Sequence, residues 1–554
     1  MPTLEISHRD LCCLIGKEMT EAELGEALSL AKCELESFDG DVLKVEAKDT
    51  NRPDLWSAEG IARELRAKLG FSKGLPAFTV GKPVLEVSVD ASLKDIRPLT
   101  VCAVVKGVRI NQAVLSQLIQ LQEKVHASLG MNRKTVAIGV YDYSRIKPPI
   151  KFTSVKPAGI KFIPLDFRKE MTPAEILKTH PKGKEFAHLL EGKKEYPIFI
   201  DSAGQVLSMP PIINSDYTGK VTEDTKDLFI ECSGFELRFL LPALNVMVCA
   251  LAERGGKIES VKIKLPTKTL VTPDLSPKTI KVDLDYIRKI AGLQLTDKQI
   301  EDNLLKSCYK VFARKGKTLE LEYPAYRQDI MHQRDVVEDV IISCGYNEIE
   351  PEPIRLLTKG SEVRLEIFTD SCARLLTGLG FQEIMSYILT NKETIFRNMN
   401  TRETAIAEIE NTVSATWSVF RDRLLPGVME FLSRNRHVEY PQKVFEAGDS
   451  VIVDSKAETG AMDSRTLAAA TCHNGACYEE IASALDAFLT NLGLKYELKE
   501  KAHPSFIPGR CASVICSGRE VGILGEIHPQ VLNAWQIENP VAAFEVSVEA
   551  LMEK

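Results

Sequence analysis

A group of four carboxylates in the middle of the chain has the spacing of a cation site. The four residues are Asp329, Asp335, Glu338 and Asp339. The last three share one face if this stretch is a helix, because helical neighbours recur every three or four residues. Like charges held so close repel each other, so either the side chains separate into water or a cation lies among them. Oxygen ligands favour a hard ion such as Mg²⁺, which makes magnesium the candidate cofactor.

A structural role explains the same acidic residues without a metal. Asp335 and Glu338 match the Asp-x-x-Glu pattern of a helix start, in which side chains bond free backbone N–H groups. Arg327, His332 and Arg334 lie close enough in the sequence to neutralise the remaining charge. The spacing by itself leaves both interpretations open.

The composition is that of an ordinary globular protein with several domains. The chain has 554 residues, of which 44% are hydrophobic and 27% are charged, and its net charge is −7. At about 150 residues per domain, this length predicts roughly four domains. An acidic balance disfavours nucleic-acid binding by bulk charge, so any RNA contact must come from local basic surface or from a partner.

The cysteines and the apolar segments favour a cytoplasmic protein. The 13 cysteines lack paired Cys-x-x-Cys spacing, which fits a reducing compartment better than a disulfide framework. The first residues carry no basic and apolar signal. The most apolar run, 239–252, is shorter than the roughly 18 residues of a membrane span. We therefore expect no membrane association.

Changes of pattern along the chain divide it into four units and predict an α+β multidomain fold. Residues 1–75 have the pattern of a small α/β module, and residues 76–270 alternate strands with few helices. Residues 271–352 combine helices with a hairpin, in a winged-helix-like and DNA-binding-like arrangement. Residues 353–554 place helices between the strands of an antiparallel sheet.

Two local signals in the third unit predict particular elements. Thr296 and Gln299 have the spacing of a capping box, which predicts that a helix begins between them. The segment KVFARKGKTLELEYP has two extended runs around a Gly, which predicts a hairpin.

Four longer segments, taken together, carry a family resemblance. They are NRPDLWSAEGIARELR, SMPPIINSDYT, YRQDIMHQRDVVEDVIISCGYNEI and FRDRLLPGVMEFL. In this order, across nearly the whole chain, they resemble successive modules of phenylalanyl-tRNA synthetase beta subunits. The archaeal and eukaryotic type is favoured, since bacterial members carry extra modules for which this chain has no room. In that family the acidic cluster holds Mg²⁺, which the resemblance assigns to the four carboxylates named above.

The second unit resembles the editing module of this family, which hydrolyses tyrosine wrongly attached to phenylalanine tRNA. A synthetic pocket shaped for an apolar side chain rejects a near-isostere with an added hydroxyl only weakly, by about 10² in comparable enzymes. A second pocket that hydrogen-bonds the phenol can select tyrosine for removal. By the archaeal motif, the editing positions fall on Phe199, Ser208, Glu231 and Ser233.

This pocket departs from the family pattern, and the residues alone allow a simpler interpretation. Phe199 and Ser233 stand where the motif has Leu and Thr, and Glu231 replaces a shorter Asp. The resemblance implies that Glu231 accepts a hydrogen bond from the tyrosyl hydroxyl while water attacks the ester. Without it, Ser208, Glu231 and Ser233 are ordinary strand residues, and alternation in DLFIECS turns Glu231 to solvent.

The last unit resembles a class II synthetase catalytic domain that lacks its catalytic arginines. Synthesis needs arginines to hold ATP phosphates and the charge that develops at the α-phosphate. The strand KVFEAGD has none at the expected place, the segment AAFEVSVEALMEK lacks a Gly-x-Gly-x-x-Arg element, and there is no GxxxxGK[ST] loop. Arg421 and Arg423, which precede LLPG, are interpreted as a solvated helix start.

The resemblance therefore implies a division of labour between two kinds of subunit. An alpha subunit binds ATP and phenylalanine and attaches phenylalanine to its tRNA, in a tetramer of two alpha and two beta chains. A scaffold subunit with an inactive editing pocket is the alternative. A free-standing tRNA deacylase is disfavoured by the large C-terminal domain.

Overall fold

The computed structural model describes residues 2–553 and divides into two compact units, the first ending at Glu352 and the second beginning at Pro353. Both units contain helices and sheets, which confirms the predicted α+β organisation. The predicted boundary between residues 352 and 353 coincides with this division. The predicted boundaries at residues 75 and 270 fall inside the first unit and stay predictions.

The N-terminal part of the first unit is a three-stranded antiparallel sheet with three helices. Its elements are β1 Thr3–Ser7, α1 His8–Ile15, α2 Glu21–Leu30, β2 Cys33–Asp39, β3 Val42–Ala47 and α3 Ala58–Lys68. The strand order is β1-β3-β2. Helix α3 begins after Ser57, whose hydroxyl accepts the N–H of Gly60. Charged side chains on α3 are buried, and buried charges require ion-pair or hydrogen-bond partners, which come from elsewhere in this unit.

A ten-stranded sheet forms the centre of the first unit. Its elements, in chain order, are β4 Val80–Val89, β5 Leu99–Lys106, α4 Gln112–Ala127, β6 Val136–Asp142, β7 Ile150–Val155, α5 Pro173–Thr179, α6 Pro181–Phe186, β8 Tyr196–Asp201, β9 Val206–Met209, β10 Ile213–Asn214, α7 Asp216–Gly219, β11 Leu228–Gly234, α8 Leu237–Glu253, β12 Lys257–Lys264 and β13 Thr269–Thr272. The strand order is β10-β9-β8-β7-β4-β12-β5-β11-β6, and β13 pairs with β12.

This sheet curls so that its two ends approach each other. Asn214, on β10 at one end, donates from Nδ2 to the carbonyl of Val140 on β6 at the other end, at 3.3 Å. The contact joins side chain to backbone, so no strand ladder closes the sheet. Helix α8 packs against β5 and β11, and all seven residues of β11 are buried.

The remaining part of the first unit is a small sheet with three helices. Its elements are β14 Lys278–Asp283, α9 Leu284–Ala291, α10 Asp297–Lys306, β15 Lys310–Lys315, β16 Thr318–Tyr323 and α11 Gln333–Cys344. β15 and β16 pair as the predicted hairpin, with Gly316 at a φ of 61° in the turn. The predicted capping box of Thr296 and Gln299 begins α10. Both local predictions are confirmed.

The second unit is a seven-stranded sheet with helices on both faces. Its elements are α12 Arg364–Gly378, β17 Gln382–Glu383, β18 Leu389–Thr390, β19 Val419–Phe420, α13 Leu425–Arg434, β20 Gln442–Val453, β21 Ala461–Cys472, α14 Tyr478–Asn491, β22 Tyr496–Glu500, β23 Phe506–Cys516, β24 Arg519–Ile527, α15 Pro529–Ala534, β25 Val541–Ser547 and α16 Val548–Met552. The order is β17-β20-β21-β25-β24-β23-β22, antiparallel except for β17 beside β20, while β18 and β19 form a separate pair.

Alternation along the strands gives this sheet two apolar cores. One core lies under α12, α14 and α16 and contains Leu467 and Phe544. The other lies under α13 and α15 and contains Ala468 and Ala543. Ala468 follows Leu467 on β21, and Ala543 precedes Phe544 on β25, so neighbouring residues face opposite cores. Within residues 2–553, no helix combines the length and the apolar character needed to cross a membrane.

Candidate functional site

The four predicted editing positions lie on three strands of the ten-stranded sheet. Phe199 on β8 and Ser208 on β9 are direct cross-strand partners. Glu231 and Ser233 are two residues apart on β11 and therefore point to the same face. Because the sheet curls, Ser208 comes close to Glu231 although their strands are far apart in the strand order.

A fifth residue, Tyr141 on β6, joins Ser208 to Glu231. Its hydroxyl donates to Ser208 Oγ at 2.7 Å and lies 3.2 Å from Glu231 Oε1. All three side chains are buried. The second carboxyl oxygen of Glu231, Oε2, has no hydrogen-bond partner within the described part of the chain. A buried acceptor without a partner is costly, so this oxygen is a candidate for a ligand contact.

Glu231 is not solvent-exposed, so its interpretation as a surface strand residue is wrong. Only 2% of its surface is exposed, because β11 lies between β5 and β6 with α8 against it. Burial raises the pKa of Glu231 to about 8, against the opposing effect of the Arg97 guanidinium. The carboxyl is therefore largely neutral at neutral pH.

Ser233 and Phe199 stabilise the surroundings and do not line the cavity beside Glu231. Ser233 Oγ accepts a hydrogen bond from Arg97 Nε at 3.0 Å, and its carbonyl accepts one from Arg97 Nη2 at 2.5 Å. Phe199 is fully buried and stacks on Phe152, with ring centroids 4.1 Å apart. The structure thus places Ser208 and Glu231 at the cavity and the other two predicted positions behind it.

The cavity beside Ser208 and Glu231 has a volume of about 440 Å³, which is enough for an amino-acid side chain. Its apolar wall comes from α4 and includes Leu118. His126, on the same helix, also lines the cavity, and its Nε2 accepts the N–H of Ile138 at 2.7 Å. Burial lowers the pKa of His126, so its ring is neutral at neutral pH.

Tyr141 and Arg97 are the site residues that the sequence analysis missed. Gly139 is the signal for Tyr141, since a glycine inside the strand TVAIGVY indicates close approach of another group. A Cβ at Gly139 would overlap the Tyr141 hydroxyl. Gly139 is also the cross-strand partner of Glu231, so its missing side chain opens the path by which the phenol reaches the carboxyl. No comparable signal marks Arg97.

Two of the four predicted magnesium ligands are held by one buried arginine. Arg327 donates to Asp329 from Nε at 2.8 Å and from Nη2 at 2.5 Å. The same Nη2 donates to Asp339 Oδ2 at 2.8 Å, and Tyr309 donates to that oxygen at 2.7 Å. Burial alone would raise the pKa of Asp339, but the surrounding cations, with Arg327 the strongest of them, together outweigh burial and hold that pKa well below its usual range.

Cations from the N-terminal part complete this buried network. Arg52 donates to Asp54 at 2.9 and 2.8 Å and to Glu64 at 3.1 Å, and its Nε lies 3.8 Å from Asp329 Oδ1. Lys68 Nζ lies 3.7 Å from Glu64 and donates to Ser307 and Ser343. Lys68 therefore joins α3 to the end of α10 and to α11 through the two serine hydroxyls, beside the paired charges.

The other two predicted ligands point elsewhere. Asp335 Oδ2 accepts the N–H groups of Met331 and His332 at 2.8 and 2.7 Å, as part of the capping box that begins α11. Glu338 is exposed, and its Oε2 lies 3.1 Å from Lys32 Nζ. Among residues 2–553, no group of three acidic, His or Cys side chains is placed to hold a metal ion. The four carboxylates do not fit a magnesium ligand set, and magnesium binding at Asp329, Asp335, Glu338 and Asp339 stays a prediction from the resemblance.

Chelation of divalent ions distinguishes a magnesium site from a network of ion pairs at these four carboxylates. We expect that EDTA leaves the midpoint of thermal unfolding of the chain unchanged, because arginine and lysine side chains already neutralise the carboxylates. An ion bound at 100 times its Kd would add about 2.7 kcal/mol, and its removal would lower the midpoint by several degrees. A fall with EDTA that excess Mg²⁺ reverses would contradict this expectation.

Arg421 in the second unit is buried, so its interpretation as part of a solvated helix start is wrong. Its Nη1 donates to Glu446 at 2.7 Å and to Ser386 at 2.9 Å, while its Nε donates to the carbonyl of Asp449 at 2.8 Å. The Arg421 guanidinium is therefore hydrogen-bonded to groups of this chain. The adjoining cleft, of about 170 Å³, therefore presents this arginine already paired.

Three family models match the chain in order. The B3/4 domain matches residues 106–240, the tRNA synthetase B5 domain matches 280–346, and the phenylalanyl tRNA synthetase beta chain CLM domain matches 352–548. The phenylalanine–tRNA ligase beta subunit of Pyrococcus horikoshii is 48% identical over 555 residues, covering 100% of both chains. The chain belongs to the family of phenylalanine–tRNA ligase beta subunits. The predicted family is thereby confirmed.

Further members of the family support the same assignment. The phenylalanine–tRNA ligase beta subunit of Thermococcus sibiricus is 48% identical over 551 residues, covering 99% of this chain and 98% of its own. The crystal structure of an N-terminal fragment of the Pyrococcus horikoshii phenylalanyl-tRNA synthetase beta subunit matches with a TM-score of 0.61 and 50% identity. It covers 62% of this chain and 100% of the fragment.

Proposed function

We propose that this chain assembles with an alpha subunit into a phenylalanine–tRNA ligase of two alpha and two beta chains, and that the alpha subunit attaches phenylalanine to its tRNA with ATP. Family membership supports the partner. The pairing of Arg421 with Glu446 supports the location of the synthetic chemistry in the other subunit, because a paired and buried guanidinium does not face a triphosphate.

We propose further that the cavity beside Glu231 selects tyrosine attached to phenylalanine tRNA for hydrolysis. The observation that carries this proposal is the unpartnered Oε2 of a buried carboxyl in the wall of a cavity of side-chain size. A tyrosyl phenol donates a hydrogen bond to Oε2. A phenylalanyl ring leaves that oxygen unpaired, at a cost of about 1–3 kcal/mol, or about 5- to 150-fold in selection.

The protonation of Glu231 assigns it to recognition and not to activation of water. With a pKa of about 8, the carboxyl is mostly neutral at neutral pH and is a poor general base there. His126 is neutral too, but its Nε2 lone pair already accepts the N–H of Ile138. Water therefore attacks the ester without a base from these side chains, with the substrate held by its phenol.

Deacylation by the assembled ligase tests this function. Tyrosyl-tRNA and phenylalanyl-tRNA are prepared on phenylalanine tRNA, and release of each amino acid is followed with the wild type and with Glu231→Ala. We expect Glu231→Ala to slow tyrosine release by about 5- to 150-fold, the range for a lost buried hydrogen bond. Synthesis of phenylalanyl-tRNA should be unchanged.

Glu236→Ala is the matched control, because Glu236 is an exposed carboxylate two residues beyond β11. Equal tyrosine release by the wild type and Glu231→Ala would remove the role of this residue. Release by the wild type at the uncatalysed rate would favour the alternative of a scaffold subunit with an inactive pocket.

A further inference from the structure

The Tyr141 hydroxyl occupies a position that constrains both polar groups of the cavity. Its phenol is fully buried beside Phe229, with ring centroids 5.7 Å apart, so the ring cannot move freely. The hydroxyl lies between Ser208 Oγ and Glu231 Oε1. The charged and titratable groups that face Glu231 from neighbouring elements are Arg97 and Cys102.

Both contacts of the Tyr141 hydroxyl are made as a donor. It donates to Ser208 Oγ at 2.7 Å and is directed to Glu231 Oε1 at 3.2 Å, so its one hydrogen is shared between two acceptors. Oε1 is thereby held by the phenol. Oε2, the other carboxyl oxygen, has no partner among residues 2–553.

We propose that Tyr141 is a positioning residue for tyrosine selection, which holds the Glu231 carboxyl by Oε1 and so leaves Oε2 to accept the hydroxyl of a tyrosyl substrate. This inference rests on the proposed editing function. It adds that the phenol of the protein fixes which carboxyl oxygen recognises the phenol of the substrate. Without the Tyr141 hydroxyl, Oε1 loses its hydrogen bond and the carboxyl can rotate, so that Oε2 is no longer held towards the substrate.

The variant Tyr141→Phe removes only the hydroxyl and keeps the ring. In the assembled ligase we expect about a tenfold loss in kcat/KM for tyrosine release from tRNA, the equivalent of about one buried hydrogen bond. Phenylalanine release, which uses no phenol contact, should be unchanged. Tyr143→Phe is the matched control, since Tyr143 is half-buried just beyond the same strand and makes no side-chain hydrogen bond within the described residues.

The pH profile of tyrosine release gives a readout that a packing role would not move. The Tyr141 hydrogen bond lowers the pKa of Glu231, so its removal should move the profile of Tyr141→Phe towards alkaline pH. Gly139→Ala is a second variant, because its Cβ displaces the Tyr141 hydroxyl while every polar group is retained. It should lose tyrosine release as Tyr141→Phe does. Melting curves verify that each variant is folded.

Three results would overturn the inference, and they are distinguishable. If Tyr141→Phe releases tyrosine at the wild-type rate and with the wild-type pH profile, Tyr141 has only a packing role. The editing function would then still stand. Faster tyrosine release by Tyr141→Phe would show that the phenol blocks the substrate site. Uncatalysed release by the wild type itself would reject the editing function, and the role of Tyr141 with it.

Discussion

Replacing Arg327 with methionine is expected to destabilise the first unit by about 3–5 kcal/mol, the cost of removing one partner from a buried ion pair. Methionine retains much of the volume but leaves Asp329 and Asp339 buried without their shared guanidinium. Urea unfolding of the whole chain, followed by tryptophan fluorescence and circular dichroism, measures the change. Because the pKa of Asp339 is lowered in the folded wild type, this carboxylate is ionised at neutral pH, and the loss of stability in Arg327→Met is fully expressed there.

Arg334→Met provides the control for this experiment. Arg334 is exposed, and its Nε contacts only the hydroxyl of Tyr286, at 3.0 Å, among the bonds formed by described residues. Its replacement should change the unfolding free energy by less than about 0.5 kcal/mol. Similar values for Arg327→Met and Arg334→Met would mean that water or an ion compensates the two buried carboxylates.

The unfolding free energy of the first unit is also expected to fall with rising pH because of Glu231. Its pKa rises from 4.5 to about 8 on folding, so the folded state binds this proton more tightly. The stabilisation is fully present below pH 4.5 and is lost as the pH rises through 8, at about 1.4 kcal/mol per pH unit and about 5 kcal/mol in total. Glu231→Gln stays neutral and should lack this loss.

The measurement is a series of urea unfolding curves from pH 5 to pH 9 for the wild type and Glu231→Gln. The difference in unfolding free energy between them should grow with pH up to about pH 8 and then level off. Glu236→Gln, at an exposed carboxylate, should give a difference that does not depend on pH. Parallel curves for the wild type and Glu231→Gln would mean that Glu231 ionises in the folded protein as it does in water.

Local patterns predicted the elements that depend on neighbours in the sequence. The hairpin of β15 and β16 and the capping box of Thr296 and Gln299 are formed by residues a few positions apart, so their spacing is sufficient. Alternation failed at Glu231, because it distinguishes the two faces of a strand but not whether either face is exposed. Both faces of β11 are covered.

Long-range pairing is what the sequence could not predict. Asp335, Glu338 and Asp339 do share part of a helical surface, but one caps its own helix, one is exposed and one is buried. The groups that neutralise Asp329 and Asp339 include Arg52, which comes from the N-terminal part of the chain. Ser208 and Glu231 were assigned by the family motif and not by spacing, since only the curl of the sheet brings their strands together.

The curled sheet closes the candidate cavity along a seam of side-chain contacts, with no strand ladder there. Where β10 and β6 approach, the links are side-chain hydrogen bonds: Asn214 donates to the carbonyl of Val140, Arg133 donates to the carbonyls of Pro211 and Ile212, and Tyr141 bonds Ser208. A ligand that enters along this seam exchanges a few side-chain hydrogen bonds for its own. Such an exchange would break no inter-strand ladder, because β10 and β6 are not paired as strands.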